Sequence, residues 1–126
     1  MNLILDTPYV TLEILENGIL VATYKKRMLV TLEIAKEIVA DRLEFTGRVP
    51  RPVLIINLGV LQIEKSARRY LSSGDGVAGI SASAIIVDNL ATFYIMSFIL
   101  LVEKPPMPTA KFTRRNQAMD WLQTFL

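Results

Sequence analysis

The sequence contains no cysteine and no histidine among its 126 residues. Without cysteine the chain can form no disulfide and has no thiolate nucleophile. Without histidine it has no imidazole general base, and the usual zinc sites need one or both of these residue types. Most familiar hydrolase sites are therefore excluded, and we expect a non-enzymatic protein with no catalytic residue, no metal site and no cofactor.

An excess of charge of one sign is also missing. The chain has 14 Lys and Arg against 12 Asp and Glu, a net charge of +2. So small a surplus creates no extended basic field, and we expect no nucleic-acid binding. The short basic clusters at residues 25–27, 68–69 and 114–115 have no aromatic residues interleaved with them, unlike single-strand binders. We interpret them as surface charge, with Arg68 and Arg69 as the candidate basic surface.

Length and apolar content predict one domain over residues 1–126, because 126 residues with 52% apolar content suffice for a single core. Residues 1–10 have no basic start and include Asp6 and Pro8, so they do not resemble a secretory signal, and we expect a cytoplasmic protein. The apolar stretch 80–102 is interrupted by Asp88 and Asn89, a costly pair in hydrocarbon. We interpret that stretch as a strand and a capped helix, and we expect no membrane span.

A β-hairpin is the strongest local signal. Residues 9–15 and 19–24 are rich in β-branched and aromatic side chains, which are typical of strands. Between them, Asn17 and Gly18 can adopt the positive φ angles of a type I′ turn. The chain therefore opens with two predicted antiparallel strands.

After the hairpin, helix and strand patterns alternate at short intervals. Residues 52–57 form a continuous apolar run, typical of a strand in the middle of a sheet with helices on both sides. The other predicted elements are a helix from the cap residue Thr31 to Gly47, a helix over 63–71, a strand over 83–87, a helix over 90–102 capped by Asp88 or Asn89, a strand near 111–112 and a last helix capped by Thr113. This order predicts an α/β fold with a mixed, mostly parallel sheet covered by helices.

Several short segments resemble a known family. They are NLGV at 57–60, SARRY at 66–70, KPPMP at 104–108 with Phe112, and AMDWL at 118–122. With the order of elements, they resemble the small bacterial STAS-like proteins, which are relatives of anti-sigma-factor antagonists, in a subgroup with no established activity. The resemblance spans nearly the whole chain and implies a STAS-like α/β domain that acts through a protein surface.

The regulated antagonists of that family carry a phosphorylated serine at the start of the helix after an inner strand, within an Asp-Ser-Ser/Thr-Gly motif. The corresponding turn here, residues 57–62, reads NLGVLQ and contains no hydroxyl. Ser66 is the remaining candidate phosphosite, beside Lys65 and Arg69. Because it falls well inside the predicted helix, we interpret it as an ordinary solvated residue.

The predicted third helix most needs a functional explanation, because its apolar residues cover every side. In a small domain one face can pack on the sheet, and the other must meet a helix, a second subunit or an apolar ligand. The candidate interface or apolar-pocket residues are Phe93, Tyr94, Met96, Phe98 and Leu101. Our first hypothesis is a protein-interaction or regulatory module that acts as a homodimer or larger homo-oligomer. The alternative is a carrier or sensor of a small apolar, lipid-like ligand, with Phe93, Tyr94, Met96 and Phe98 lining the pocket.

Overall fold

A computed structural model of the chain describes residues 2–57 and 62–126. In this part of the chain the strands are β1 (Leu3–Asp6), β2 (Val10–Ile14), β3 (Leu20–Tyr24), β4 (Leu29–Val30), β5 (Arg51–Ile56), β6 (Gln62–Ile63), β7 (Ile80–Ile86) and β8 (Thr109–Phe112). The helices are α1 (Leu32–Thr46), α2 (Lys65–Leu71), α3 (Leu90–Glu103) and α4 (Arg115–Gln123).

Six of these strands form one sheet in the order β1-β2-β3-β5-β7-β8. The pairs β1/β2 and β2/β3 are antiparallel, whereas β3/β5, β5/β7 and β7/β8 are parallel. Strands β4 and β6 form a separate two-stranded parallel pair. The predicted α/β class with a mixed, mostly parallel sheet is confirmed, although β1, β4 and β6 were not predicted.

The β2–β3 hairpin has the predicted pairing but a different turn. The amide of Leu15 donates to the carbonyl of Ile19 at 2.9 Å, which closes a three-residue loop over residues 16–18. Within that loop only Gly18 has a positive φ, 95°, while the side chain of Asn17 accepts from the Ile19 amide. A type I′ turn needs positive φ at both central residues, so the predicted turn type is wrong. The longer loop needs a single left-handed residue, and Gly18 supplies it.

The sheet has helices on both faces. On one face, Val53 of β5 belongs to a core that includes Ala67 of α2 and residues of α1. On the other face, Leu54 packs with Ala118 and Leu122 of α4. Successive side chains of a strand point to opposite faces, so β5 contributes to both cores. The central, doubly covered position predicted for this strand is therefore confirmed.

The helix ends differ in how well they were predicted. The Thr31 hydroxyl accepts from the Ile34 amide at 3.2 Å, and Gly47 ends α1 with φ of 63°, as predicted. Helix α2 begins at Lys65 instead of residue 63, because Ile63 pairs with β4 as part of β6. The predicted Thr113 cap of α4 is wrong, because α4 begins one residue later, after Arg114.

A short 3₁₀ turn at Gly74–Gly76 is held against α1 and α2. Arg42 of α1 is buried and donates to the carbonyls of Asp75, Gly76 and Ala78 at 3.0, 3.2 and 3.1 Å. A Cβ atom at Gly76 would lie 1.9 Å from the carbonyl oxygen of Tyr70, so only glycine fits. These contacts fix the loop that borders the space beneath α3.

Candidate functional site

Helix α3 connects the adjacent parallel strands β7 and β8 and lies on the same face of the sheet as α1 and α2. Its cap is Asn89, whose side-chain oxygen accepts from the Thr92 amide at 2.8 Å. None of its 14 residues is buried, although no charged residue lies between positions 90 and 102. A helix of this composition is ordinarily buried on all sides. The described part of the chain supplies too little apolar surface to cover it.

One side of α3 is a continuous apolar surface exposed to solvent. Its large side chains are between 57% and 70% exposed, and we call them the outer stripe: Leu90, Tyr94, Ile95, Phe98, Leu101 and Val102. The spacing i, i+4, i+5, i+8, i+11 and i+12 places all six on one side of a helix. The stripe is therefore one patch.

The outer stripe is large for a domain of this size. At ordinary residue surface areas its six side chains expose roughly 800 Å², about the area that each partner buries in a stable protein–protein interface. The largest apolar patch on a typical monomer covers only about 300–600 Å². The stripe therefore has the dimensions of an interface.

Beneath α3 lies a cavity of about 120 Å³, which we call the α3 cavity. Ile55 of β5 and Ile85 of β7 contribute its floor on the sheet, and Met96, Ile99 and Leu100 of α3 form its roof. Residues of β3, α1, β6, α2, the 3₁₀ turn and the segment between α3 and β8 are also in the lining. A mostly apolar enclosure with a few polar groups is the usual character of a small-molecule site.

Two arginines reach the α3 cavity with different sets of partners. Arg42 donates from both of its Nη atoms to the three loop carbonyls, and burial lowers the pKa of its guanidinium from the ordinary value, against opposing interactions with Tyr24, Tyr70 and Asp75. Arg68 donates from Nη1 to the carbonyl of Ile63 at 2.8 Å. Its Nε is buried and has no hydrogen-bond partner among the residues that the structure describes. Arg68 therefore retains an unused donor.

Tyr24, at the end of β3, is a third polar group in the lining. Burial raises the pKa of its hydroxyl above the ordinary value of 10.0, and the positive charge of Arg42 acts in the opposite direction. Burial disfavours the charged phenolate, so the neutral form is preferred in the folded protein.

Lys111 of β8 attaches α3 to the edge of the sheet. Its Nζ donates to the hydroxyl of Ser97 and lies 4.4 Å from the centre of the Phe93 ring. The Phe93 ring also meets Tyr94 edge to face, with 6.1 Å between ring centres. Phe93 therefore takes part in a cation–π contact that holds the helix in place.

The five candidate interface or apolar-pocket residues of α3 do not share one surface in the structure. Tyr94, Phe98 and Leu101 belong to the outer stripe, Met96 lines the cavity, and Phe93 packs on Lys111. The α3 cavity therefore does not have the predicted lining, since it includes neither Phe93, Tyr94 nor Phe98. At about 100° per residue, positions 94 and 98 lie on the side of α3 away from position 96.

The polar candidates on α2 are also separated. Arg69 is exposed, while Arg68 reaches the cavity, because adjacent residues of a helix point in directions about 100° apart. Ser66 is exposed in the first turn of α2, not well inside the helix as predicted, since α2 begins at Lys65. Most of the turn compared with the phosphorylated motif, residues 58–61, lies outside the described residues.

Arg42 and Tyr24 were missed as site residues. Arg42 had a sequence signal, because it lies seven residues after Ala35, four after Ile38 and three after Val39, on the buried side of α1. The inward position of Arg68 had no such signal, since four of the first five residues of α2 are polar.

Two further searches cover the described ranges only. Within residues 2–57 and 62–126, no group of three acidic side chains could hold a metal ion. In the same ranges, no helix is long and apolar enough to cross a membrane.

Comparison with known proteins identifies the fold. Residues 13–126 match the family model described as domain of unknown function DUF7793. The chain is similar to the crystal structure of an uncharacterized DUF3478-family protein with a SpoIIAA-like fold from Shewanella loihica PV-4, with a TM-score of 0.60 and 14% identity, over 97% of this chain and 92% of that chain. No curated protein matches. The STAS-like fold implied by the sequence resemblance is confirmed.

Proposed function

Because the chain belongs to DUF7793, a family of domains of unknown function, we propose a role from its own surface. We propose that it is a non-enzymatic, cytoplasmic interaction module that associates with a second copy of itself through the outer stripe of α3. The observation that carries this proposal is the exposure of six large apolar side chains on one side of a helix that has no buried residue.

A second copy suits the stripe because of charge and symmetry. A two-fold axis brings the same surface of two chains together, so an uncharged apolar stripe meets its like and no charge is left unpaired. Tyr94, Phe98 and Leu101 follow the i, i+4, i+7 spacing of helix–helix seams. A 14-residue helix is about 21 Å long, which allows two α3 helices to pack along three turns or more.

The absence of enzymatic activity is supported by the chemistry of the α3 cavity. Its lining includes no Asp, Glu or Lys side chain, and the chain has no histidine or cysteine. The Tyr, Ser and Thr hydroxyls of the lining therefore have no carboxylate, amine or imidazole in that lining to act as their base.

Sedimentation velocity from about 1 µM to about 1 mM tests self-association over the range of ordinary affinities. We expect a dimer that dissociates on dilution, and we expect Phe98→Glu to give a monomer at every concentration, because it places a charge in an apolar interface. Val49→Glu is the matched control, since Val49 is an exposed apolar residue outside α3. A wild-type protein that is monomeric at the highest concentration, or a Phe98→Glu dimer, would contradict the proposal.

A second candidate function, carrying or sensing a small apolar molecule, is supported by the α3 cavity. Apolar cavities of about 150 Å³ can hold benzene, and the α3 cavity is of comparable size. Native mass spectrometry of the purified chain tests this function. An additional bound mass supports it, and the mass of the bare chain counts against it.

A further inference from the structure

The lining of the α3 cavity includes an arginine with an unpartnered nitrogen in the part of the chain that the structure describes. Arg68 lines the cavity, and its buried Nε has no hydrogen-bond partner among the described residues. An unsatisfied buried donor is unfavourable, and a charged one more so. The guanidinium of Arg68 belongs to a side chain that lines the cavity, so a negatively charged ligand there would offset part of that penalty.

The charge of Arg68 is also without a counterion in residues 2–57 and 62–126. The ion pairs of this part of the chain join Lys25 to Asp6 and Arg48 to Asp75. Ser72, one turn after Arg68, uses its hydroxyl to donate to the Arg68 carbonyl at 2.7 Å. Arg42 is occupied by three loop carbonyls. Arg68 is therefore the group in the lining that is suited to an incoming anion.

We propose that the α3 cavity binds a small monocarboxylate, whose carboxylate pairs with the guanidinium of Arg68 and whose apolar body lies against Ile55, Ile85 and Leu100. Guanidinium groups pair with carboxylates through short, charge-assisted hydrogen bonds. The cavity volume fits a benzene-sized ring or a chain of about four to six carbons. This inference rests on the second candidate function and adds the anionic end of the ligand.

The test is a titration of the full chain with hexanoate and, separately, with 1-hexanol, a neutral probe of similar length. Methyl NMR signals of Ile55 and Ile85 report the cavity floor, and the methyl signal of exposed Ile95 reports binding at the outer stripe. We expect hexanoate to shift Ile55 and Ile85 saturably, to leave Ile95 unchanged and to bind about tenfold more tightly than hexanol, as a charged hydrogen bond allows.

Arg68→Gln should lower the hexanoate affinity about tenfold and leave the hexanol affinity unchanged, since only the charged hydrogen bond is lost. Arg69→Gln is the matched control, because Arg69 is the neighbouring exposed arginine, and it should change neither affinity. The methyl spectrum of each variant shows whether it folds. If Arg68→Gln does not fold, the ratio of hexanoate to hexanol affinity on the unaltered chain decides the question.

Equal binding of hexanoate and hexanol would overturn the carboxylate site while leaving a small-ligand function in place, and so would hexanoate binding that survives Arg68→Gln. Shifts confined to Ile95 would place the molecule on the outer stripe and overturn the cavity site. If neither compound shifts Ile55 or Ile85, both the carboxylate inference and the small-ligand function fail.

Discussion

Helices α3 and α4 precede and follow β8 and lie on opposite faces of the sheet. The more apolar of the two, α3, is the less buried one. Helix α4 is mostly polar, but its Ala118 and Leu122 are completely buried. Helix α3 has no charged residue between positions 90 and 102, and none of its residues is buried. Apolar content alone therefore does not decide burial.

The surfaces beneath the two helices account for the difference. On the α4 side, Ala82 and Ala84 of β7 are small, and they share a buried cluster with Ala118 and Leu122 of α4. On the α3 side, the sheet and the helix enclose a cavity instead of packing directly. Close packing requires surfaces that fit, and no residue of α3 is buried by the described part of the chain.

Shortening one leucine in each helix tests most directly whether α4 packs more tightly than α3. Leu122→Ala should lower the free energy of unfolding by about 3 kcal/mol, because it leaves a void in a packed core. Leu101→Ala, at a 68% exposed position, should change it by less than about 0.5 kcal/mol. Urea denaturation at concentrations where the chain is monomeric measures both. Equal losses would show that α3 packs as tightly as α4.

A second variant tests what holds α3 on the sheet. Lys111→Met removes the hydrogen bond to Ser97 and the cation–π contact with Phe93, so the free energy of unfolding should fall by about 1 kcal/mol. Amide hydrogen exchange should accelerate in α3 and stay unchanged in α4. Lys36→Met, at an exposed position of α1, is the control. Unchanged exchange in α3 would mean that Lys111 does not hold the helix.

The smallest effect that we expect is on the pH dependence of stability, and it tests whether water reaches Tyr24 under α3. Burial raises the pKa of Tyr24 above 10.0, so its contribution to stability is complete below pH 10.0 and is lost as the pH rises through the folded-state pKa. Tyr24→Phe should make the loss of stability at alkaline pH less steep. A part of that loss should remain, because the charge of Glu37, with burial, also raises the pKa of Tyr9.

Denaturation from about pH 9 to about pH 11 measures this dependence. Tyr94→Phe, at an exposed position of the outer stripe, is the matched control. If Tyr24→Phe leaves the alkaline pH dependence unchanged, water reaches Tyr24 and the two sides of the sheet differ less than the structure indicates.

The sequence predicted those parts of the fold that have local signals. Thr31 and Gly47 mark the ends of α1, and the continuous apolar run identifies β5. Strands β4 and β6 have two residues each and depend on pairing with one another across more than thirty residues, so no periodic pattern reveals them. The start of α2 was misplaced for the same reason, because Ile63 pairs with Val30.

The candidate site was predicted in part. An excess of apolar residues identified α3, and Tyr94, Phe98 and Leu101 do lie on one surface. Which side of α3 faces outwards depends on how β7, β8 and α2 are arranged in space, and the period of the helix does not contain that information. The cavity and the inward position of Arg68 arise from several elements together.

The position of α3 between β7 and β8 bears on how such a domain can diversify. Adjacent parallel strands must be joined by a crossover of a dozen or more residues, so a segment in this place is required by the topology. Since α3 contributes no fully buried residue, substitutions along its outer stripe leave the two cores intact. If α3 forms the proposed interface, mutations there can therefore alter recognition without loss of the scaffold.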